Sequence, residues 1–138
     1  AITWSNLKWV STRYCTYPQT LIFEITESSA LIKELRLVSH EHMIGKRIEL
    51  FVGIGKDFKT CDFRRIGHVY FSSNRQTGFT AREKKNIKMD ATANFFKLSI
   101  TECHQTVKNL YEQVSLVAVE AYGINKCIRI TFCWVNPD

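Results

Sequence analysis

Apolar residues in this chain recur at every second position, and no long stretch carries them at the three-and-four spacing of an amphipathic helix. Arg47 to Ile54 places Ile48, Leu50, Val52 and Ile54 on one side, and Phe95 to Thr101 alternates Phe96, Leu98 and Ile100 with Lys97, Ser99 and Thr101. Ile128 to Val135 alternates Ile128, Ile130, Phe132 and Trp134 with Arg129, Thr131 and Cys133. Successive side chains of a strand point to opposite faces, so a period of two means one buried face and one wet face. Further strands are expected at Thr20–Ile25, Ile32–Ser39, Ile66–Ser72, Asn86–Met89 and Val114–Ala121. Turn chemistry falls between them at Gly53 and Gly55, at Ser72-Ser73-Asn74 and at Gln76-Thr77-Gly78, where a positive φ is available. The stretch Glu102–Gln113 reads as loop or weak helix. About eight short strands in one domain bury their apolar faces by packing as two sheets, so the expected fold is all-β, an antiparallel β-sandwich or jelly roll. The inward set is Ile48, Leu50, Val52, Phe96, Leu98, Ile100, Leu116 and Ala118.

With 138 residues the chain is the size of one domain, and residues 1–138 are read as a single unit without linkers, repeats or low-complexity runs. A fold of this length removes roughly 70% of its unfolded surface from water and needs no covalent staples. The chain opens on Ala1 rather than Met and stops at Pro137-Asp138 just after an apolar run, the look of a segment of a larger multidomain protein. Trp4, Asn6, Lys8 and Arg13 interrupt any signal-peptide core, and no apolar run approaches the ~18 residues of a membrane span. Five cysteines (Cys15, Cys61, Cys103, Cys127 and Cys133) are odd in number and hold no C-x-x-C pair, which favours a reducing, cytoplasmic setting with no disulfide.

The formal charge is +6, and its location says more than its size. Between Arg64 and Lys88 lie Arg64, Arg65, Arg75, Arg82, Lys84, Lys85 and Lys88, opposed only by Glu83. That stretch carries the whole excess. A local basic patch suits an acidic protein surface, a phosphate backbone or an anionic membrane, and the bland alternative is a solubilising face. Arg64, Arg65, Arg75, Arg82, Lys84 and Lys85 are therefore the candidate partner-binding residues. Arg82 and Lys84 share one strand face while Glu83 and Lys85 share the other, so the six cannot all meet one partner.

Chemistry of other kinds finds little support. His40-x-His42 could aim two imidazoles at one ion, but a third and fourth ligand are not at hand, so no metal site is assigned. Cys103-His104 is adjacent in sequence, which on a strand turns thiol and imidazole to opposite faces. Gly53-Ile54-Gly55-Lys56 has too few glycines and no following helix for a phosphate loop. RNA-binding aromatics of the Lys/Arg-Gly-aromatic type are absent, so no nucleic-acid partner is assigned. No catalytic set or cofactor site can be assembled, and the chain is read as a non-enzyme. Trp4, Trp9, Tyr14 and Tyr17 form an aromatic cluster that can pack across the open end of a sandwich or stack on a sugar or proline-rich ligand.

Several segments carry a family resemblance. Tyr17-Pro18-Gln19 leading into Leu21-Ile22-Phe23-Glu24, then Ile32-Lys33-Glu34-Leu35-Arg36-Leu37-Val38-Ser39-His40 and Met43-Ile44-Gly45-Lys46-Arg47-Ile48-Glu49-Leu50-Phe51-Val52, resemble the galactose-binding or discoidin-type jelly roll. The later half is more specific. Phe63-Arg64-Arg65-Ile66-Gly67-His68-Val69 and Asn74-Arg75-Gln76-Thr77-Gly78-Phe79-Thr80-Ala81-Arg82-Glu83 resemble the N-terminal jelly roll of the ciliary-tip centrosomal protein of 104 kDa family. So do Ala93-Asn94-Phe95-Phe96-Lys97-Leu98 and Asn109-Leu110-Tyr111-Glu112-Gln113-Val114-Ser115-Leu116-Val117-Ala118-Val119. The resemblance implies a cilium or centrosome location and a parent with a coiled coil, a tubulin-binding domain and zinc fingers beyond this segment. It implies protein partners, tubulin or other ciliary proteins among them. The superfamily also implies an alternative, a carbohydrate-binding domain. The disulfide that closes the termini of extracellular discoidin domains has no counterpart expected here, because no cysteine occurs in the first or last few residues.

Overall fold

The computed structural model describes residues 8–27 and 29–137, and within them ten strands build two antiparallel sheets. The strands are β1 (Trp9–Val10), β2 (Gln19–Ile25), β3 (Ala30–Ser39), β4 (Gly45–Ile54), β5 (Asp62–Tyr70), β6 (Lys84–Ala93), β7 (Phe95–Cys103), β8 (Ser115–Gly123), β9 (Lys126–Ile128) and β10 (Ile130–Val135). The first sheet runs β1-β8-β3-β6, with β9 also paired to β8, and the second runs β10-β2-β7-β4-β5. This is the jelly-roll sandwich expected from the alternation. Leu21, Phe23, Leu37, Ile48, Leu50, Leu98, Ile100 and Leu116 are fully enclosed between the sheets. Phe23 stacks on Phe96 and packs against Phe132, each at 4.7 Å between centroids, because the three are cross-strand partners on β2, β7 and β10.

The two strands beyond the expected eight are short, β1 and β9. Expected strand limits also move, most of all in β5 and β6. β5 begins at Asp62 and ends at Tyr70, not Ile66–Ser72, and β6 spans Lys84–Ala93, not Asn86–Met89. Glu102 and Cys103 belong to β7 rather than to the following loop. The expected strand Ile128–Val135 is divided at Arg129: Ile128 pairs with Ala121 in one sheet, and Ile130 pairs with Ile25 in the other.

Bulges account for the corrections to side-chain direction. Ser39 pairs with Leu116 but Val38 pairs with Ala118, so Val117 is an extra residue and the alternation resets beyond it. Val119 and Ala121 therefore join Leu116 in the core, and Ala118 is buried on the outer face rather than pointing inward. A second bulge, between Phe132 and Trp134, turns Trp134 away from the core side that Phe132 occupies. Ile54 is 66% exposed, because β4 has run past the rim of the sandwich by that point.

Antiparallel order sorts the connections to two ends. At one end lie Thr26, Glu27, Ser29, the segment 55–61, Asn94 and residues 124–125. At the other lie 11–18, 40–44, 71–83 and 104–114, stitched together by Tyr14 N–H to Tyr111 O (2.8 Å), His104 N–H to Ile44 O (2.9 Å) and Ser115 N–H to Met43 O (2.9 Å). Long loops at one end of a rigid sandwich are where a binding surface can be built without disturbing the core.

Candidate protein-interaction surface

The six basic residues fall along the side of the sandwich where β5 and β6 form the last strands of their sheets, but on different faces of it. Arg65 lies on the outer face of the second sheet, where its Nε donates to Glu49 Oε1 at 2.6 Å. Arg64 pairs in register with inward Val52 and so projects at the open seam between the sheets. Lys85, in register with core Leu37, shares that side, with its Nζ 3.2 Å from Glu83. Lys84 pairs with Val38 on the outer face of the first sheet. Arg75 sits in a single 3-10 turn, Arg75–Thr77, closed by Gly78 at φ 67°, and its guanidinium reaches Gln105 O at 3.5 Å. Arg82 precedes β6 and donates from Nε to Glu41 Oε2 at 2.8 Å.

The stretch is thus less basic in space than in sequence. Glu49 accepts from Arg65 and, at 2.5 Å, from Arg47, and these two hydrogen bonds hold its carboxyl down at about 2. Glu41 is held below the usual carboxylate range chiefly by Arg82. Among the described residues Arg64 and Lys84 carry no acidic partner. The structure brings together Arg82 and Lys84 at the lower outer face of the first sheet and separates them from Arg65.

Beside Arg82 lies a groove of about 860 Å³ lined by Lys8, Trp9, Val10, His40, Met43, Arg82, Ser115 and Val117. Its wall mixes apolar side chains with two cations. The acid nearest these residues, Glu41, is already shared: Oε2 accepts from Arg82, and Oε1 lies 2.8 Å from His40 Nε2.

His40, Glu41 and His42 each bring a ligand atom within 4.8 Å of the others, but the donor set does not suit an ion. His40 Nδ1 accepts the backbone N–H groups of His42 and Met43, both at 3.1 Å, so the ring proton of the neutral form must sit on Nε2, facing Glu41. A metal at Nε2 would need that nitrogen bare while Nδ1 still faced two donors. Burial pushes the His40 pKa down, so at neutral pH the contact to Glu41 is a hydrogen bond from an uncharged ring. His40 braces the loop, whereas the buried Nδ1 of His42 has no hydrogen-bond partner among the described residues.

Of the aromatic cluster, Trp4 lies outside the described residues. Trp9 and Tyr17 pack against the core, whereas Tyr14 turns outward and meets Tyr111 edge to face at 5.7 Å. The Tyr17 hydroxyl donates to Glu112 O at 2.8 Å. Cys103 and His104 diverge as expected: the thiol lies beside Tyr17, and His104 Nε2 contacts Phe71 O at 2.6 Å. Burial raises the pKa of Cys61, Cys103 and Cys127, and that of Cys133 to about 11, the reverse of what a nucleophilic thiolate needs.

Two asparagines organise these loops, and the sequence reading gave neither that role. Asn74, in the left-handed region at φ 69°, donates from Nδ2 to Glu41 O (2.9 Å) and Ala81 O (2.6 Å) and accepts from Thr77. Asn109 donates to His104 O and Gln113 O and accepts from the Gln113 N–H. An Asn amid Ser and Gly signals a turn, but nothing local says that it will be buried between distant loops.

The profile of the family described as "Centrosomal protein CEP104, N-terminal domain" matches residues 8–123. The chain belongs to this family. Centrosomal protein of 104 kDa from Homo sapiens is 34% identical over 120 residues, and that from Mus musculus is 32% identical over the same length. Each match covers 83% of this chain and 13% of the relative, so the chain corresponds to a small part of its curated relatives. Among solved structures, a family 32 carbohydrate-binding module of C. perfringens NanJ, in complex with galactose, matches with TM-score 0.61 and 10% identity over 86% of this chain and 78% of that one. A chitosan-binding module from Paenibacillus sp. IK-5 matches with TM-score 0.62 and 14% identity over 86% and 79%. At such identities the likeness is one of fold. In the CEP104 N-terminal family this jelly roll belongs to centrosomal and ciliary proteins, and among the described residues no helix is long and apolar enough to cross a membrane.

Proposed function

We propose that this domain is a non-enzymatic protein-interaction module that helps to place its parent on axonemal or centriolar microtubules. The observation that carries the reading is the groove beside Arg82, in which Lys8 and Arg82 border Trp9, Val10, Met43 and Val117. An apolar floor edged by cations suits an acidic protein surface, and tubulin's is one such surface. Desolvation raises the pKa of four of the five thiols, and His40 is tied into its loop, which speaks against a catalytic role for them. Family membership supports the cytoskeletal setting.

The test is co-sedimentation with microtubules at two salt concentrations, comparing the wild type with Lys8→Glu/Lys84→Glu. Both lysines are exposed and unpaired among the described residues, so the variant keeps its fold. Binding should weaken with salt and fall several-fold on charge reversal, because exposed charges act over the ~8–10 Å that salt screens. Unchanged affinity in a folded variant would reduce the basic side to a solvated face. The jelly roll is also the fold of sugar-binding modules, so a glycan array belongs beside this assay. Saturable sugar binding without microtubule binding would replace the present reading by the carbohydrate one.

A further inference from the structure

Next to the groove, the segments 11–14 and 104–114 form a shelf at the loop end of the sandwich. Tyr14 (63% exposed), Val107 (78%), Leu110 (69%) and Tyr111 (42%) all stand out from it. Their exposure is not the result of slack backbone. Asn109, nearly fully buried, ties His104 O and Gln113 O from inside the turn, and Gln113 Nε2 donates to Ser11 O at 2.7 Å. Ser11 Oγ accepts the Val114 N–H at 3.0 Å, and Tyr14 N–H donates to Tyr111 O at 2.8 Å. Tyr14 (φ 54°) and Glu112 (φ 51°) are held in the left-handed region without being glycine, a conformation that persists only where its surroundings enforce it.

The shelf also carries an excess of cations. The Arg13 guanidinium lies over the Tyr111 ring, 4.2 Å from its centroid, and Arg75 and Lys108 lie on the flanking loop residues. The one acid in the two segments, Glu112, is engaged through Oε1 by Gln105 Nε2 at 2.8 Å. A neutral amide donor leaves Glu112 its charge, so three cations (Arg13, Arg75 and Lys108) and one acid border an apolar surface two loops wide.

We infer that this shelf binds an acidic linear peptide segment, with an aliphatic or aromatic residue seated against Tyr111 and Leu110 and flanking carboxylates met by Arg13, Lys108 and Arg75. A peptide fits better than a lipid surface. Arg13 sits on the face of Tyr111, so inserting that ring into hydrocarbon would take the guanidinium with it. The inference concerns a surface separate from the groove of the proposed function and does not depend on it.

The experiment is selection of a random twelve-residue peptide display library on the domain, with counter-selection on Arg13→Glu/Leu110→Ser. The most enriched peptide is then measured by fluorescence polarisation. All the replaced side chains are exposed, and thermal melting of each variant checks that the fold is kept. Enriched peptides should place two or more acids beside an aliphatic or aromatic residue. Their affinity should drop about tenfold or more in Arg13→Glu and in Leu110→Ser, and should fall with salt. Lys8→Glu/Lys84→Glu should leave it unchanged, which separates this surface from the groove. Absence of enrichment, enriched peptides without acids, or equal affinity for wild type and variants would each overturn the inference. So would Leu110-dependent sedimentation with phosphatidylserine vesicles in place of peptide binding.

Discussion

Arg82 Nε donates to Glu41 Oε2 across 2.8 Å, joining the residue that leads into β6 to the β3–β4 loop 41 positions earlier. The same loop is held from inside by Asn74, whose Nδ2 donates to Glu41 O. The two links differ in exposure and should differ in worth. Arg82 is more than half exposed, so Arg82→Ala should cost at most about 1 kcal/mol. Asn74→Ala takes the amide donor from the carbonyls of Glu41 and Ala81 in a closed site, while the Thr77 hydroxyl keeps the Asn74 carbonyl, and should cost about 1–3 kcal/mol. Urea denaturation of the two variants measures the difference. Equal losses would mean that the loop end is held by charge rather than by the buried amide.

Core and rim positions on two paired strands, β7 and β4, should behave oppositely. Leu98 is fully enclosed on β7. Leu98→Ala should cost roughly 2–5 kcal/mol, the sum of lost transfer energy and the cavity left behind. Ile54→Ala, at the rim of β4, should stay within about 0.5 kcal/mol. Comparable costs by urea melts would refute the register.

Acid should unfold the domain partly through Glu49. Its carboxyl is depressed from 4.5 to about 2, first by the Arg65 hydrogen bond and then by the Arg47 one. A depressed carboxyl contributes stability that is whole above the unfolded value near 4.5 and is lost as pH falls through about 2. Glu49→Gln should therefore be less stable than wild type at neutral pH and approach it as pH drops below 4. Parallel stability curves between pH 7 and pH 2.5 would show that solvent screens these pairs away.

Thiol chemistry gives an independent check. All five cysteines are free: Cys103 is buried, and the other four are partly covered. Titration of the denatured protein without reductant should find five reactive thiols. In the native protein Cys103 and Cys133 should react slowly, because burial keeps both protonated at neutral pH. Three thiols, or one, in the denatured titration would reveal a disulfide.

The sequence by itself determined the architecture. Period-two alternation at Ile48-Leu50-Val52 and Phe96-Leu98-Ile100 leaves one way to hide the apolar face, and two packed sheets follow from it. It also determined the thiol count and the positive-φ turn at Gly78. Tertiary structure decided where the alternation breaks: Ala118 and Trp134 were misplaced because a bulge is one unpaired residue, set by the partner strand and invisible in the strand's own pattern. It also decided the electrostatics. The basic run between Arg64 and Lys88 looks opposed by Glu83 alone, yet Glu41 and Glu49, more than a dozen residues away from the charges they meet, neutralise Arg82 and Arg65. Coulomb attraction depends on distance in space, and only the folded chain sets that distance. The shelf at Tyr14 and Tyr111 has the same origin, since residues 97 positions apart become neighbours only when the β1–β2 and β7–β8 loops meet at one end of the sandwich.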